Sequence, residues 1–531
     1  MADLEIEVKE DASAAEHTIQ LRVTEVVLAN DEKTHERLSD TLQQVAEDMD
    51  CSRKESTKIQ DKGEQVSKES LVHHFSSSTN DILNFNNNMI GRDDQKERLL
   101  EDLTRSYSGE PKVIPIVGMG GIGKTTLAKE VYNHESILRR FDVRAWAIVS
   151  QQHNIKEILL SLLQSRIKMD DMVKTKDEAE LADMLQKSLK RKSRLSMQMN
   201  FMDQDESWNL FKSAAFSNDA LSSEFETIGK KIAEKCHGLP LTIVVVAGLL
   251  KYKREIEDWE SVAIDVTSFI TNDPAEQCSH VLGLSYNHLT SDLKTCLLHF
   301  GIFPEDSEIP AKNLMRSWMA EGFLKLENDL EGVAEKCLQE LVNRCLVLVC
   351  KKSLDGTKIR SCKVHDLIYD LCMREIQRGN VFTMNDIVLD YSDSECRYLS
   401  MQKMQPFKRV TGDEIFYCPF GLYRALLTPV HRKLRDHDNN DLLKRTCSIF
   451  SFHFEDLIFS RVLKSELIHF KLLKVLEMGH GEIDNFSLQI LSLIWLRYQS
   501  LQCHEENLDI PPEICRLWNL QTFIVQGYLY S

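Results

Sequence analysis

The chain of 531 residues lacks any apolar run long enough to cross a membrane. The longest, Leu239–Leu250, has twelve residues, against ~20 for a spanning helix, and reads as a buried core helix. It also lacks paired C-x-x-C cysteines. Its 14 cysteines are scattered, which disfavours a zinc ribbon or a dithiol redox motif and fits a reduced, cytosolic compartment. The opening residues, MADLEIEVKED, contain no apolar signal core. Positive charge is in deficit: 65 Lys and Arg face 82 Asp and Glu, a net charge of −17. That argues against a protein that coats nucleic acid, whose phosphates need a basic footprint. Secreted, integral-membrane and nucleic-acid-coating classes are therefore set aside, and no nucleic-acid partner is expected. The 42% hydrophobic and 28% charged content is globular. The length suggests three to five domains of ~100–200 residues.

Residues 1–60 carry 15 acidic and 7 basic side chains. Within them Ile19, Val23 and Val26, and then Leu38, Leu42, Val45 and Met49, recur at helical spacing on either side of Asn30-Asp31. This predicts two amphipathic helices joined by a turn, each with a narrow apolar seam. A polar stretch with Ser76-Ser77-Ser78 and the Asn-rich run Asn84–Asn88 predicts a linker. From 112 onward the order is strand (113–117), Gly-rich loop and helix, with Pro115 as a local objection because it cannot donate to a ladder. Residues 141–150 are a second strand candidate, 155–190 and 206–300 read as helical, and the strand pair 346–351 and 358–364 suits a winged helix. Near the C-terminus Phe470, Leu473, Leu476 and Met478, then Leu493, Leu496, Gln499 and Leu501, then Leu517, Leu520, Phe523 and Val525 repeat one template. The offsets from 476 to 499 to 523 match a leucine-rich repeat of one strand and a return segment. Gln499 replaces an apolar position, which is costly if it is buried unpaired.

The segment Gly118-Met119-Gly120-Gly121-Ile122-Gly123-Lys124-Thr125, followed by Thr126, is a phosphate-binding loop. Its glycines let backbone N–H groups point at phosphates, Lys124 places a charge on the β- and γ-phosphates, and the Thr125 hydroxyl can hold Mg²⁺. The following helix adds its positive end. An NTP-hydrolysing site also needs an apolar strand ending in Asp to hold that metal. Asp170-Asp171 lie in a helical stretch, and Asp203 runs straight into the helix-like DESWNLF, so neither fits.

The ordered motifs GMGGIGKTTLAKEVY, FDVRAWAIVSQ, FMDQDESWNLF, CHGLPL, CLLHFGIFPED and KVHDLIYDL, followed by repeats, resemble plant nucleotide-binding leucine-rich-repeat disease resistance proteins of the coiled-coil, solanaceous late-blight-resistance type. The resemblance implies a multidomain chain: a helical coil (1–62), a linker (63–85), an incomplete α/β P-loop domain (86–235), a helical domain (236–300), a winged helix (301–385), a linker (386–440) and a short leucine-rich-repeat solenoid (441–531). It also implies an ADP/ATP switch in which Ile90, Gly91 and Arg92 flank adenine and ribose and Pro240 packs near the base. His365 would reach the β-phosphate of ADP, and Asp366 would support the closed state. Val364 stands where many relatives have Met.

From Lys124 to Gly238 the chain counts 114 positions, which is about fifty short of the family layout. The missing stretch, placed between Lys192 and Leu195, would hold the Asp-Asp strand and a γ-phosphate-sensing arginine. The resemblance therefore implies an immune receptor with hydrolysis near background. It also implies a pathogen effector or guarded host protein as partner, self-association through coil and nucleotide domain, a hypersensitive defence output, and a cytoplasmic location compatible with peripheral membrane attachment. The alternatives are a working ATPase, a non-enzymatic adaptor, decoy or degraded fragment, and a DNA-binding regulator. Loss of two strands beside the P-loop strand is expected to leave a raw sheet edge, unless residues 195–202, alternating Leu195, Met197, Met199 and Phe201, supply a substitute.

Overall fold

The computed structural model describes residues 2–29, 31–60, 89–104, 112–141, 144–147, 149, 155–163, 173, 176–188, 193–194, 197–216, 223–251, 253, 255–268, 273–324, 329–377, 382–393, 396–403, 424–429, 446–451, 467–483, 488–503 and 510–527. Among them no helix is long and apolar enough to cross a membrane. Two long helices open the chain, α1 (Ala2–Ala29) and α2 (Glu32–Gln60), and pack on one another. Asp31 caps α2 by accepting from the Thr34 N–H at 2.8 Å. The apolar spacing is not what this hairpin hides. Leu42 and Met49 are exposed, while Gln20 and Thr24 are buried. The cause is a neighbour distant in sequence: the Trp495 indole N–H donates to Thr24 Oγ1 at 2.9 Å.

The nucleotide-domain frame comprises α3 (Asp93–Thr104), β1 (Lys112–Val113), β2 (Ile116–Val117), α4 (Lys124–Tyr132), α5 (Glu135–Arg140), α6 (Ile155–Leu163), α7 (Glu178–Ser188), β3 (Ser193–Arg194), β4 (Met197–Gln198) and α8 (Gln204–Ala215). Pro115 divides the expected single strand into β1 and β2. It is tolerated because only its carbonyl is used, accepting from the Met197 N–H at 2.9 Å. β1 pairs in parallel with β3, and β2 with β4. The Met199 N–H adds a bond to the Val117 carbonyl at 2.8 Å. The alternating segment thus stands directly beside the P-loop strand, with Met197 and Met199 buried, and that edge is not raw. The strand expected over 141–150 is absent among its described residues. Arg144 is instead held at the end of α4, its guanidinium 4.4 Å over the Tyr132 ring and its Nη1 donating to the Tyr132 carbonyl. Asp170 and Asp171 lie outside the described residues.

Six helices follow: α9 (Ser223–Lys235), α10 (Pro240–Leu250), α11 (Ile256–Ser268), α12 (Pro274–Asn287), α13 (Ser291–Leu298) and α14 (Ala311–Glu321). Pro240 occupies the first turn of α10, where its missing N–H costs nothing. That helix is apolar on every side and buried, as its composition requires. The winged-helix sheet has the order β5 (Ile309–Pro310), β7 (Ile359–Lys363), β6 (Leu348–Lys352), all antiparallel. It is flanked by α14, α15 (Leu330–Asn343) and α16 (Asp366–Gln377).

Residues 386–440, expected to be a linker, contain strand instead. β8 (Phe382–Asp393), β9 (Cys396–Lys403) and β10 (Arg424–Pro429) extend one seven-stranded sheet by antiparallel pairing. Backbone groups at the open edge of β11 (Ser448–Ser451) supply the partners that turn this stretch into strand. On its other side β11 is joined in parallel by β12 (Val475–Ile483), β13 (Tyr498–Cys503) and β14 (Thr522–Gly527). Short 3₁₀ returns at Leu467–His469, Leu488–Ser492 and Pro512–Arg516 connect them. Leu476 pairs with Gln499 and Gln499 with Phe523, the three positions that recur in the sequence. Gln499 is fully buried, and neither its Oε1 nor its Nε2 has a partner among the described residues. Gln499→Leu is therefore expected to stabilise the chain by ~1–3 kcal/mol, checked as a higher urea midpoint at unchanged slope.

Where this sheet meets the winged helix, charge is buried. Glu321 at the end of α14 has its carboxyl pushed up to about 8 by burial, against the opposing pull of Lys474 and Arg497. Lys474 Nζ stands 3.9 Å from Glu16 of α1, so first helix, winged helix and repeat strands meet at one junction. Beside it His299 is fully buried, with Nε2 3.3 Å from Ser317 Oγ. Its ring lies edge-on to Phe303, Phe323 and Phe450 at 5.8, 5.4 and 5.5 Å between centroids.

Candidate functional site

The P-loop follows β2 and ends at Gly123, which caps α4 with a φ of 95°. Gly121 has a φ of 74°, and such left-handed backbone is open to glycine at little cost. Ile122 is buried and anchors the loop from below. Lys124 Nζ donates to the Gly118 and Met119 carbonyls at 2.7 and 2.8 Å. Thr125 and Thr126 are exposed on the first turn of α4.

Two distant modules close on this loop. The Leu241 N–H donates to the Gly121 carbonyl at 3.3 Å. A Cβ on Gly121 would come within 2.9 Å of the Leu241 side chain, and one on Gly120 within 3.5 Å of Leu367. Gly121 is thus needed for close approach as well as for conformation, whereas Gly120 meets Leu367 at ordinary contact distance. Pro240 sets the start of α10, but the contact to the loop is made by its neighbour Leu241. Leu367 stands two positions after His365, at the start of α16.

His365 is the hinge between β7 and α16. Its carbonyl accepts from the Ile368 and Tyr369 N–H groups at 2.8 and 2.9 Å, and its Nδ1 accepts from the Leu367 N–H at 3.2 Å. With Nδ1 so engaged, Nε2 is the ring atom available to a ligand. Burial is the main cause that lowers its pKa. Asp366 and Asp306 oppose that fall, while Lys363 and Lys124 add to it.

Ile90-Gly91-Arg92, expected beside adenine and ribose, is positioned by α8. Gly91 and Arg92 have φ values of 74° and 63°, a costly conformation for arginine. Glu206 Oε1 holds it by accepting from the Arg92 N–H at 2.6 Å. The same Glu206 closes a capping box with Asp203, whose Oδ1 accepts from the Glu206 N–H at 2.8 Å. The Arg92 guanidinium is buried, donates to Gln95 at 3.2 Å and has its Nη2 without a partner among the described residues. Burial lowers its pKa, against Glu206 and Asp94.

Asp203 is thereby committed to capping α8 and is not presented as a metal ligand. No cluster of three metal-holding side chains occurs among the described residues. The donors present fit a polyphosphate: glycine backbone, Lys124, a histidine with one engaged nitrogen and a buried guanidinium in want of an acceptor. For Mg²⁺ the candidate beside the loop is the exposed Thr125 hydroxyl. Sequence reasoning missed Leu241, Leu367 and Glu206. The last was signalled by D-x-x-E at 203–206, and the two leucines by their places next to recognised motifs.

A P-loop roofed by a helical module and a winged helix defines a nucleotide-binding domain of the resistance-protein class. Residues 92–197 match the NB-ARC domain and residues 302–372 the disease resistance protein winged helix domain. The chain is 29% identical to the late blight resistance protein R1-A of Solanum demissum, over 92% of its own length and 40% of that protein. It is 30% identical to the putative late blight resistance protein homolog R1B-12 of the same species, over 87% of its length and 36% of that protein. These matches place the chain with the nucleotide-binding leucine-rich-repeat disease resistance proteins. It spans about two fifths of the length of these relatives.

Proposed function

We propose that the chain is an ADP/ATP-dependent switch of the plant immune-receptor type, with hydrolysis impaired. The observation that carries this reading is the convergence of Leu241 and Leu367 on Gly120 and Gly121. It joins P-loop, helical module and winged helix around one phosphate cradle. In the ADP form Lys124 and His365 bind the β-phosphate, Arg92 and Ile90 border the base and ribose, and Thr125 offers its hydroxyl to Mg²⁺. The metal, when bound, offsets phosphate charge. Exchange to ATP favours the open arrangement through differential affinity for two states.

The parallel strands β11–β14, with matching positions in register, support a leucine-rich-repeat reading of residues 441–531. The α1–α2 hairpin supports a signalling coil. A pathogen effector or guarded host protein, self-association and a cytoplasmic location with optional peripheral membrane attachment belong to this proposal.

With Asp203 engaged in a cap and no other carboxylate ending a strand beside the P-loop among the described residues, ATP turnover by the purified chain is expected to be indistinguishable from a Lys124→Ala blank. ADP binding by calorimetry is expected to persist and to be lost in that variant. Turnover clearly above the blank would overturn the hydrolysis reading, and no ADP binding would overturn the switch. The direct β2–β4 pairing favours a second reading, a non-enzymatic adaptor or decoy that keeps the closed fold without cycling. ADP bound without exchange for ATP would select it.

A further inference from the structure

Asp306 and Lys363 have no part in the nucleotide site as drawn so far. Lys363 ends β7, two residues before His365. Asp306 lies in the turn before β5 and takes a φ of 63°. Their side chains are 19% and 18% exposed, with Nζ 2.7 Å from Oδ1. A second tie runs parallel to the first. Ser361, on the same face of β7 as Lys363, donates to Glu308, and Lys351 Nζ stands 2.8 Å from that carboxylate. The turn is therefore fixed against β7, and with it the position of both charges.

The charged groups that face His365 are Asp366 on α16, Lys363 on β7, Asp306 on the turn and Lys124 on α4. Lys363 stands two positions before His365 at the end of β7, and Leu367, two positions after it, lies 3.5 Å from where a Cβ on Gly120 would stand, so this corner of the winged helix is brought to the loop that carries Lys124. A shielded ion pair is nearly neutral to its surroundings while both partners are present. Removing one leaves an uncompensated charge in a poorly solvated place. Placed here, that charge would be felt by the histidine and by any polyphosphate on the loop.

We propose that Lys363 is a further cation of the phosphate end of the site, beside Lys124 and His365, and that Asp306 masks its charge and so sets the affinity for a nucleoside diphosphate. This rests on the nucleotide reading above. Asp306 acts through Lys363 and is a positioning residue.

The test uses the full chain with ADP as the probe and the variants Asp306→Asn, Lys363→Met and both together. Asp306→Asn unmasks the lysine and is expected to tighten ADP about tenfold, the effect of one unit charge at ~10 Å with an effective dielectric of ~20. Lys363→Met is expected to weaken it about tenfold, and the double variant to return close to the unsubstituted chain. Independently of any nucleotide, the NMR titration midpoint of the His365 ring, assigned with His365→Gln, is expected to fall in Asp306→Asn, rise in Lys363→Met and recover in the double variant. A brace without an electrostatic role predicts otherwise. Both single variants would then weaken ADP, the double would be no better than the worse of them, and the histidine midpoint would stay put. That pattern, or unchanged affinity and titration throughout, overturns the proposal. Absence of ADP binding in the unsubstituted chain would instead remove the nucleotide reading, and the histidine titrations would decide the charge coupling by themselves.

Discussion

Gly238→Ala is expected to be the most damaging small substitution in the nucleotide half of the chain. Gly238 has a φ of 68°, and it follows His237 at 51°, so the backbone stays left-handed over two residues. A Cβ there would lie 2.2 Å from the Met202 carbonyl oxygen and 2.8 Å from its nitrogen. These are backbone atoms, and the Met202 N–H already donates to the Gly238 carbonyl at 2.9 Å. Nothing at this contact can swing aside. The segment after β4 and the start of α10 must separate, which also draws Leu241 away from the P-loop. Left-handed strain and the steric shift together are expected to cost at least ~3 kcal/mol. For a unit of this size that corresponds to a fall in melting temperature of roughly 6–12 °C. Gly123→Ala offers the comparison: its φ is 95° but no atom lies within 4 Å of the added Cβ. Strain alone remains there, and a fall of less than half as much is expected. Equal falls would show that conformation, and not the Met202 contact, sets the cost.

The second large effect is expected on acidification. Burial holds the His299 ring neutral by pulling its pKa from 6.5 down to about 3. In the unfolded chain the ring takes up a proton near its ordinary value. Between these two points the unfolded state therefore binds more protons, and stability rises with pH. The contribution is complete above the unfolded pKa and is lost as pH falls through the window toward 3. Its full size is on the order of 4 kcal/mol. The His299→Phe variant keeps an aromatic ring among Phe303, Phe323 and Phe450 and carries no such proton. It is expected to show a clearly flatter dependence of the urea midpoint on pH between 6 and 4. Parallel curves for the two proteins would refute this assignment. Because His299 packs against Phe450 of β11 and against Phe303 and Phe323 of the winged helix, separation of this sheet from the winged helix is expected to accompany the loss.

The candidate nucleotide site was legible wherever its chemistry is local. Eight consecutive residues make the P-loop, and His365 and Pro240 belong to short motifs of fixed spacing. The actual contacts on the loop, from Leu241 and Leu367, could not be read because a leucine beside a motif looks like any other core residue. The strand at 197–198 was legible as a substitute beside the P-loop strand from the alternation of Met197 and Met199, but its register against β2 was not, since that pairing is made by backbone groups that leave no mark on composition. The register of positions 476, 499 and 523 was legible because the apolar template around them recurs at a fixed offset, even though Gln499 breaks it at the central unit. Within 386–440, expected to be a linker, the described residues 386–393, 396–403 and 424–429 are strand. Their acidic positions Asp386, Asp390 and Asp393 interrupt the apolar pattern, while the strands there are specified by the edge they join. The N-terminal seam misled for a related reason: Thr24 is buried by a tryptophan near the other end of the chain, which no local periodicity can announce.

The bond between Thr24 and Trp495 joins groups 471 positions apart in sequence. During synthesis at ~5–20 residues per second, Trp495 is made roughly 25–95 s after Thr24. For most of that interval α1 has α2 as its companion and at best an incomplete sheet to meet. The polar character of its eventual contact face, Gln20 and Thr24 where Leu or Ile would pack more tightly, suits a surface that must wait in water. Such a face invites fewer wrong encounters than an oily one. The hydroxyl and the glutamate at position 16 then find the indole and Lys474 when the last strands arrive, so the order of manufacture is written into the choice of side chains at the junction.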